Sequence, residues 1–196
     1  MNEFDELYEL LEKYPVNYSV GNRKKLSATG KRLKSLLLGI RSTVGAYQRT
    51  DKSLNPNILK NTMTPEGNTI YKHIAKIINK YHPGFEFNQL IINKNSTFLI
   101  HKDKGNKNNE SLIFTVGTFE EDQGGGLELY NDIDVVKINN IHCCKEGLGP
   151  YTVLKIKNKP TIFNGKIIYH STEPFTDKRY CVVAYLNKIP LKYIPI

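Results

Sequence analysis

No acidic residue occurs between Glu12 and Asp51. Past Lys13, that gap holds Arg23, Lys24, Lys25, Lys31, Arg32, Lys34, Arg41 and Arg49, eight further positive charges and nearly the whole excess of +9 over the 196-residue chain. A one-signed stretch of this kind attracts polyanions, and a nucleic-acid phosphate backbone is its commonest partner. The plain alternative is a solvated surface in a lysine-rich protein; the near balance of charge elsewhere favours nucleic acid. Cysteine is scarce as well. Cys143, Cys144 and Cys181 are odd in number and two are adjacent, which suits no disulfide framework and leads us to expect a reducing, intracellular compartment, nuclear or cytoplasmic. Beside His142 the adjacent pair lacks the C-x-x-C spacing of a zinc knuckle and reads as structural. Long apolar runs are missing too: LLLGI at 36–40 is far too short to cross a bilayer, so no membrane partner is expected. The opening MNEFDELYELLEKY is acidic and helical in pattern and reads as no secretory signal.

The length suits a single domain, 1–196, with a helical, basic layer over 1–84 and a β-rich core over 85–196. Phe4, Leu7, Leu10 and Leu11 recur at three- and four-residue spacing, which predicts an amphipathic helix over 2–13 with Asn2 as its cap and Pro15 after its end. The basic segment carries Gly21, Gly30 and Gly39 and is expected to be a loop leading into a short helix at 33–38. Thr64-Pro65-Glu66 opens a stronger helix, 65–80, with Ile70, Ile74, Ile77 and Ile78 on one side. From Phe85 onward the period changes to two. FEFNQLIIN, STFLIHK, SLIFTVG, LELYN, DVVKIN, YTVLKIKN, TIFNG, KIIYH and RYCVVAYLN read as short strands parted by turn residues. The fold class expected is α+β, mainly β: a double-sheet jelly roll buttressed by N-terminal helices.

Within FLIHKD, His101 and Asp103 alternate onto one face at a strand's end, where an imidazole and a carboxylate can converge on one ion. A lone HxD is weak, and by itself the plainer reading, a surface histidine beside a salt-bridged aspartate, is preferred. Three further features favour a metal. His170 closes the strand KIIYH about seventy residues later. Two histidines and a carboxylate can occupy one face of a ferrous ion and leave the opposite positions open. Arg179 opens the next strand, where a guanidinium can grip the far carboxylate of a dicarboxylic cosubstrate. Gly124-Gly125-Gly126 lies between the two halves, where backbone without side chains can approach its neighbours closely. KGNKNNE at 104–110 follows directly on the metal motif and reads as an active-site loop.

HxD, then GG, then H and R in that order resembles the iron- and 2-oxoglutarate-dependent dioxygenases. HKDKGNKNNES followed by GGGLELY looks like the TET/JBP branch, which oxidises the methyl group of nucleobases; the likeness covers roughly 85–187. The resemblance implies a jelly-roll enzyme holding Fe(II) on His101, Asp103 and His170, with 2-oxoglutarate and O2 as co-reactants and Arg179 as the anchor. Asn93 or Asn95 stands where it can help bind 2-oxoglutarate, or each is a neutral solvated side chain. Asn106 matches the position that contacts a flipped base, and Tyr185 the aromatic that stacks on it, although a core tyrosine explains Tyr185 as well. Asn187 stands where cytosine-oxidising members carry histidine, which puts cytosine preference over thymine in doubt. GNRKKLSATGKRLKS is similar to the N-terminal stretch of small viral and protist members, and Arg23, Lys24, Lys25, Lys31 and Arg32 would hold the phosphate backbone. The expected activity is oxidation of a pyrimidine 5-methyl group in DNA (5-methylcytosine favoured over thymine, RNA the other polymer) by a monomer. The alternative is a prolyl or lysyl hydroxylase with the same metal set.

Overall fold

The computed structural model describes residues 1–15, 26–31, 33–40, 58–103, 106–107 and 110–187. Arg23, Lys24, Lys25, Arg32, Arg41 and Arg49 lie outside these residues, as do four positions of the 104–110 stretch. Helix α1 (Glu3–Lys13) starts where the Asn2 side chain accepts hydrogen bonds from the Phe4 and Asp5 backbone N–H groups, both at 2.9 Å, while Asp5 bonds back to Asn2. Two orphan donors of the first turn are thereby satisfied. A single turn, α2 (Lys60–Met63), leads to α3 (Pro65–Tyr81), which Thr64 caps and which begins on proline, as the pattern predicts. No described helix is long and apolar enough to cross a membrane.

Ten strands follow or intervene: β1 (Lys34–Gly39), β2 (Gln89–Lys94), β3 (Ser111–Gly117), β4 (Leu127–Tyr130), β5 (Val135–Ile138), β6 (Ile141–Cys144), β7 (Thr152–Leu154), β8 (Thr161–Phe163), β9 (Tyr169–Thr172) and β10 (Arg179–Tyr185). They form a five-stranded sheet of order β1-β2-β10-β3-β8, a three-stranded sheet β7-β4-β9, and a separate β5–β6 hairpin. The described strand pairs are antiparallel throughout. A mostly β, antiparallel architecture with few helices is thus established.

Alternation divides the large sheet into two uses. Leu90, Ile92, Leu112, Phe114, Val116, Tyr180, Val182 and Ala184 form one apolar cluster with Phe4, Leu7 and Leu11 of α1 and Ile70, Ile74, Ile77 and Ile78 of α3. Full burial of each such side chain contributes about 1.5–3 kcal/mol. The odd-numbered partners Ile91, Asn93, Ile113, Arg179, Cys181, Val183 and Tyr185 line a cavity on the opposite face. Ile113 and Cys181 there meet Leu127 and Leu129 of the small sheet. A strand with both faces covered reads as nearly continuous apolar sequence.

This explains two departures from the expected elements. The helix expected at 33–38 is strand β1, registered against β2 from Lys34↔Lys94 to Gly39↔Gln89. Leu36 and Leu38 bury beneath the helices while Ser35 bonds Asn93 on the other face, so the leucine run masks the period of two. Gly39 sits at φ +90°, with its missing Cβ 2.2 Å from the Asn88 carbonyl oxygen, a contact no side chain tolerates. STFLIHK is not a continuous strand: Phe98 bridges Ser27 and His101 bridges His170, because the segment passes from one partner to another. Strand β6, around Cys143 and Cys144, lacks a clear period-two signature and escaped the sequence reading.

Glu12 fastens α1 to this sheet. Its carboxylate accepts from the Tyr180 hydroxyl at 2.6 Å, pairs with Lys94 at 3.1 Å and also takes a Lys178 ammonium hydrogen bond. Lys178 first, then Tyr180, hold its pKa down at about 2 from 4.5. A depressed carboxyl pKa stabilises the fold above the unfolded value, and that contribution drains away as pH falls toward the folded one. Glu12→Gln should therefore lower Tm by a few degrees at pH 7, where about 1 kcal/mol shifts Tm by roughly 2–4 °C at this size. The gap between variant and wild type should narrow steadily below pH 4.5 in thermal melts; a pH-independent gap would remove the ion pair as its cause.

Candidate active site

His101 and His170 face each other across an antiparallel bridge. The His101 N–H donates to the His170 carbonyl at 2.9 Å and the His170 N–H to the His101 carbonyl at 3.0 Å. Directly opposed residues of such a pair project side chains to the same side, and the two imidazole centroids lie 4.3 Å apart. Asp103 is anchored two residues on by its N–H, which donates to the Gly165 carbonyl at 2.8 Å. Its two carboxylate oxygens then stand 3.9 Å from His101 Nε2 and 3.9 Å from His170 Nε2.

Each imidazole is oriented from behind. His101 Nδ1 lies 2.7 Å from the Leu99 carbonyl and His170 Nδ1 3.0 Å from the Ile168 carbonyl. A carbonyl only accepts, so Nδ1 carries a proton, which leaves Nε2, the nitrogen facing Asp103, as the one that can bind a metal. Phe98 and Phe163 pack against the rings at 5.6 and 5.1 Å. Gly165 makes room for the carboxylate: a Cβ there would sit 2.6 Å from Asp103 Oδ2. Ligand atoms of His101, Asp103 and His170 all fall within 4.8 Å of one another, the one such grouping of three among the described residues. Two imidazoles and one carboxylate converging this closely fit a divalent transition metal with further positions open.

The three side chains line a cavity of about 660 Å³ between the sheets. Arg179 lies at its wall, only 2% exposed. Its Nε donates to the Gly125 carbonyl at 2.9 Å, and its guanidinium rests near the Phe175 and Phe119 rings at 5.1 and 5.8 Å. Gly125, at φ +84°, permits this: a Cβ would strike the Phe119 ring at 2.7 Å. Burial pushes the Arg179 pKa down, and among the described residues no carboxylate lies within ion-pair distance of it. A buried guanidinium without a carboxylate is costly, and an anionic ligand relieves that cost. The residues present therefore fit a carboxylate-bearing ligand as well as a metal.

The other sequence-predicted residues divide. Asn93, Asn106 and Tyr185 line the cavity. Asn93 accepts from Ser35 Oγ at 2.7 Å, and Asn106 Nδ2 donates to Ser111 Oγ at 3.0 Å and to the Glu110 carbonyl. Asn95 does not line it: its side chain accepts from the Arg179 N–H and its own N–H donates to the Arg179 carbonyl, each at 2.8 Å, so it positions the arginine backbone instead. Asn187 lies elsewhere than Asn93, Asn106 and Tyr185. Its Nδ2 donates to the Ile40 carbonyl and to Gln89, and its Oδ1 accepts from Asn88, which binds it in a buried network away from the cavity lining. Lys31 is exposed and outside the lining too. Sequence reasoning missed Gly165, Phe119, Phe175 and the Leu99 and Ile168 carbonyls, none of which carries a motif.

No protein-family model matches this chain, and no curated protein does. Solved structures match by shape. An oxidoreductase of the 2OG-Fe(II) oxygenase family from Burkholderia pseudomallei superposes with a TM-score of 0.53 at 12% identity, over 94% of this chain and 81% of that one. NgTET1 in complex with 5mC DNA gives 0.50 at 16% identity over 94% and 67%. A Pseudomonas putida prolyl-4-hydroxylase gives 0.48 at 9% identity over 95% and 84%. At these identities the likeness is one of fold: the chain has the fold of the 2OG-Fe(II) oxygenases.

Replacing His101, Asp103 or His170 by alanine should weaken Fe(II) or Co(II) binding at least tenfold by anaerobic calorimetry. Gly165→Ala should weaken it as well, without touching a ligand, because its methyl displaces Asp103. Wild-type affinity in all four variants would remove this grouping as the metal site.

Proposed function

We propose that this protein is an Fe(II)- and 2-oxoglutarate-dependent dioxygenase that hydroxylates the 5-methyl group of a pyrimidine in DNA. The observation carrying the enzyme class is the pairing of the His101–Asp103–His170 donor set with the buried Arg179, which no carboxylate among the described residues pairs, in one cavity. Bound there, the iron and its cosubstrate supply the activation of oxygen that attack on an unactivated C–H bond needs.

The chain's own residues do the rest. His101, Asp103 and His170 hold the metal from one side, with both Nδ1 protons committed to backbone carbonyls. Arg179 grips the distal carboxylate of 2-oxoglutarate, held from behind by Asn95 and Gly125. Phe98, Phe163, Ile113 and Leu127 wall the cavity with apolar surface, which keeps bulk water from the reacting carbon. Asn93 lines the same wall and is the cosubstrate's polar neighbour in this reading.

A DNA substrate is supported by Tyr185 and Asn106 at the same cavity and by the basic balance of the chain. The fold shared with NgTET1, whose structure holds 5mC DNA, agrees with it. A base must leave the duplex to enter, at a cost of a few kcal/mol. Stacking on Tyr185 offsets part of that, worth about 1–3 kcal/mol per base. 5-Methylcytosine is the substrate favoured in this reading, with thymine as the alternative pyrimidine.

Two measurements test this. Mass spectrometry of nucleosides after incubation with methylated DNA, Fe(II) and 2-oxoglutarate should show a hydroxymethyl pyrimidine; turnover of a prolyl or lysyl peptide library instead would replace DNA by protein. Arg179→Ala should raise the KM for 2-oxoglutarate by tenfold or more, as loss of a charged hydrogen bond worth about 1.5–3 kcal/mol implies. An unchanged KM would take Arg179 out of the cosubstrate site.

A further inference from the structure

Toward its tip the β5–β6 hairpin is amphipathic in the reverse sense. It belongs to neither large sheet. Its register sets Lys137 opposite His142 and Ile138 opposite Ile141. Opposed residues share a face and successive residues alternate, so Lys137 and His142 look one way and Ile138 and Ile141 the other. The polar face is the inner one: Lys137 and His142, with Asn140 of the turn, line the cavity. The apolar face is open to water, with Ile138 58% and Ile141 47% exposed. The connecting residues Asn139 and Asn140 both have left-handed φ, +50° and +65°. Two such residues make the tight turn whose twist matches a hairpin, so the tip is stiff.

We infer that this hairpin is a wedge for duplex DNA: its polar face looks onto the nucleotide drawn into the cavity, and Ile138 and Ile141 pack against the bases left in the stack. The inference rests on the DNA reading above and deepens it. The occupant must reach into the cavity on one side of the hairpin and cover an apolar face on the other. A duplex with one nucleotide extruded has that form: the extruded base enters the cavity, and the gap it vacates opens between its former stacking neighbours. Isoleucine is among the side chains that insert between base steps, and a chain of net charge +9 favours a phosphate-bearing partner. His142 also packs on Tyr169 at 4.9 Å, and Lys102 lies over the same ring at 4.2 Å, so the polar face is braced where it meets the cavity mouth.

The test uses the full chain and a duplex carrying 2-aminopurine beside a single 5-methylcytosine, with a matching single strand. Wild type should bind the duplex and raise 2-aminopurine fluorescence as the stack opens. Ile138→Ser/Ile141→Ser replaces two exposed side chains and should keep the wild-type melting temperature. It should bind the duplex about tenfold more weakly and lose the fluorescence rise, with single-strand affinity within about twofold. An undiminished fluorescence rise in the variant overturns the wedge and leaves the DNA reading standing. Absence of any DNA binding by wild type overturns both. Loss of peptide hydroxylation in the variant, where wild type acts on peptides, assigns the apolar face to a protein and overturns the wedge.

Discussion

Two backbone hydrogen bonds between His101 and His170 are the constraint on which the site depends. They join segments far apart along the chain and place both imidazoles on one side of a single bridge. Everything else in the metal grouping is adjustment around that pair: carbonyls of Leu99 and Ile168 set the ring tautomers, and the Gly165 carbonyl sets Asp103. Because main-chain geometry fixes ligand placement, the rings need no long side-chain network to hold them. Ordering such groups in advance lowers the cost of binding an ion.

The large sheet divides its labour by parity. Even-numbered residues of β2, β3 and β10 bind the helices, and odd-numbered ones face the cavity. A slip of one residue in β10 would exchange Arg179 for Tyr180, which now bonds Glu12 beneath α1. The helical layer thus does more than cover a face. By locking Tyr180 and Val182 on one side it enforces the orientation of Arg179 and Cys181 on the other.

Much of this was legible in the sequence, for identifiable reasons. HxD, the distal histidine and the arginine stand out because few residue types can do their work. The 65–81 helix is legible because cap, proline and isoleucine spacing agree. Strand β1 was not, since Leu36 and Leu38 on the buried face flank a half-buried Leu37 on the other, and three leucines in a row leave no alternation to read. The partners of Asn187 were not legible, because position relative to Arg179 says where a residue falls along β10 but not what its amide meets beyond the strand's end. Gly165 and Phe175 were invisible for a related reason: they act by space and proximity, and neither leaves a spacing rule. The reversed polarity of the β5–β6 hairpin emerges only once one of its faces is known to border the cavity.

Strand β10 is also a ruler. Arg179 and Tyr185 stand at its two ends on the same side, and six residue steps of about 3.3 Å separate them by roughly 20 Å. Hydrogen bonding to β2 and β3 on both flanks keeps that length from stretching or shrinking. Any two groups bound at the arginine and at the tyrosine would thereby be kept a set distance apart, a distance written into the pitch of an extended chain.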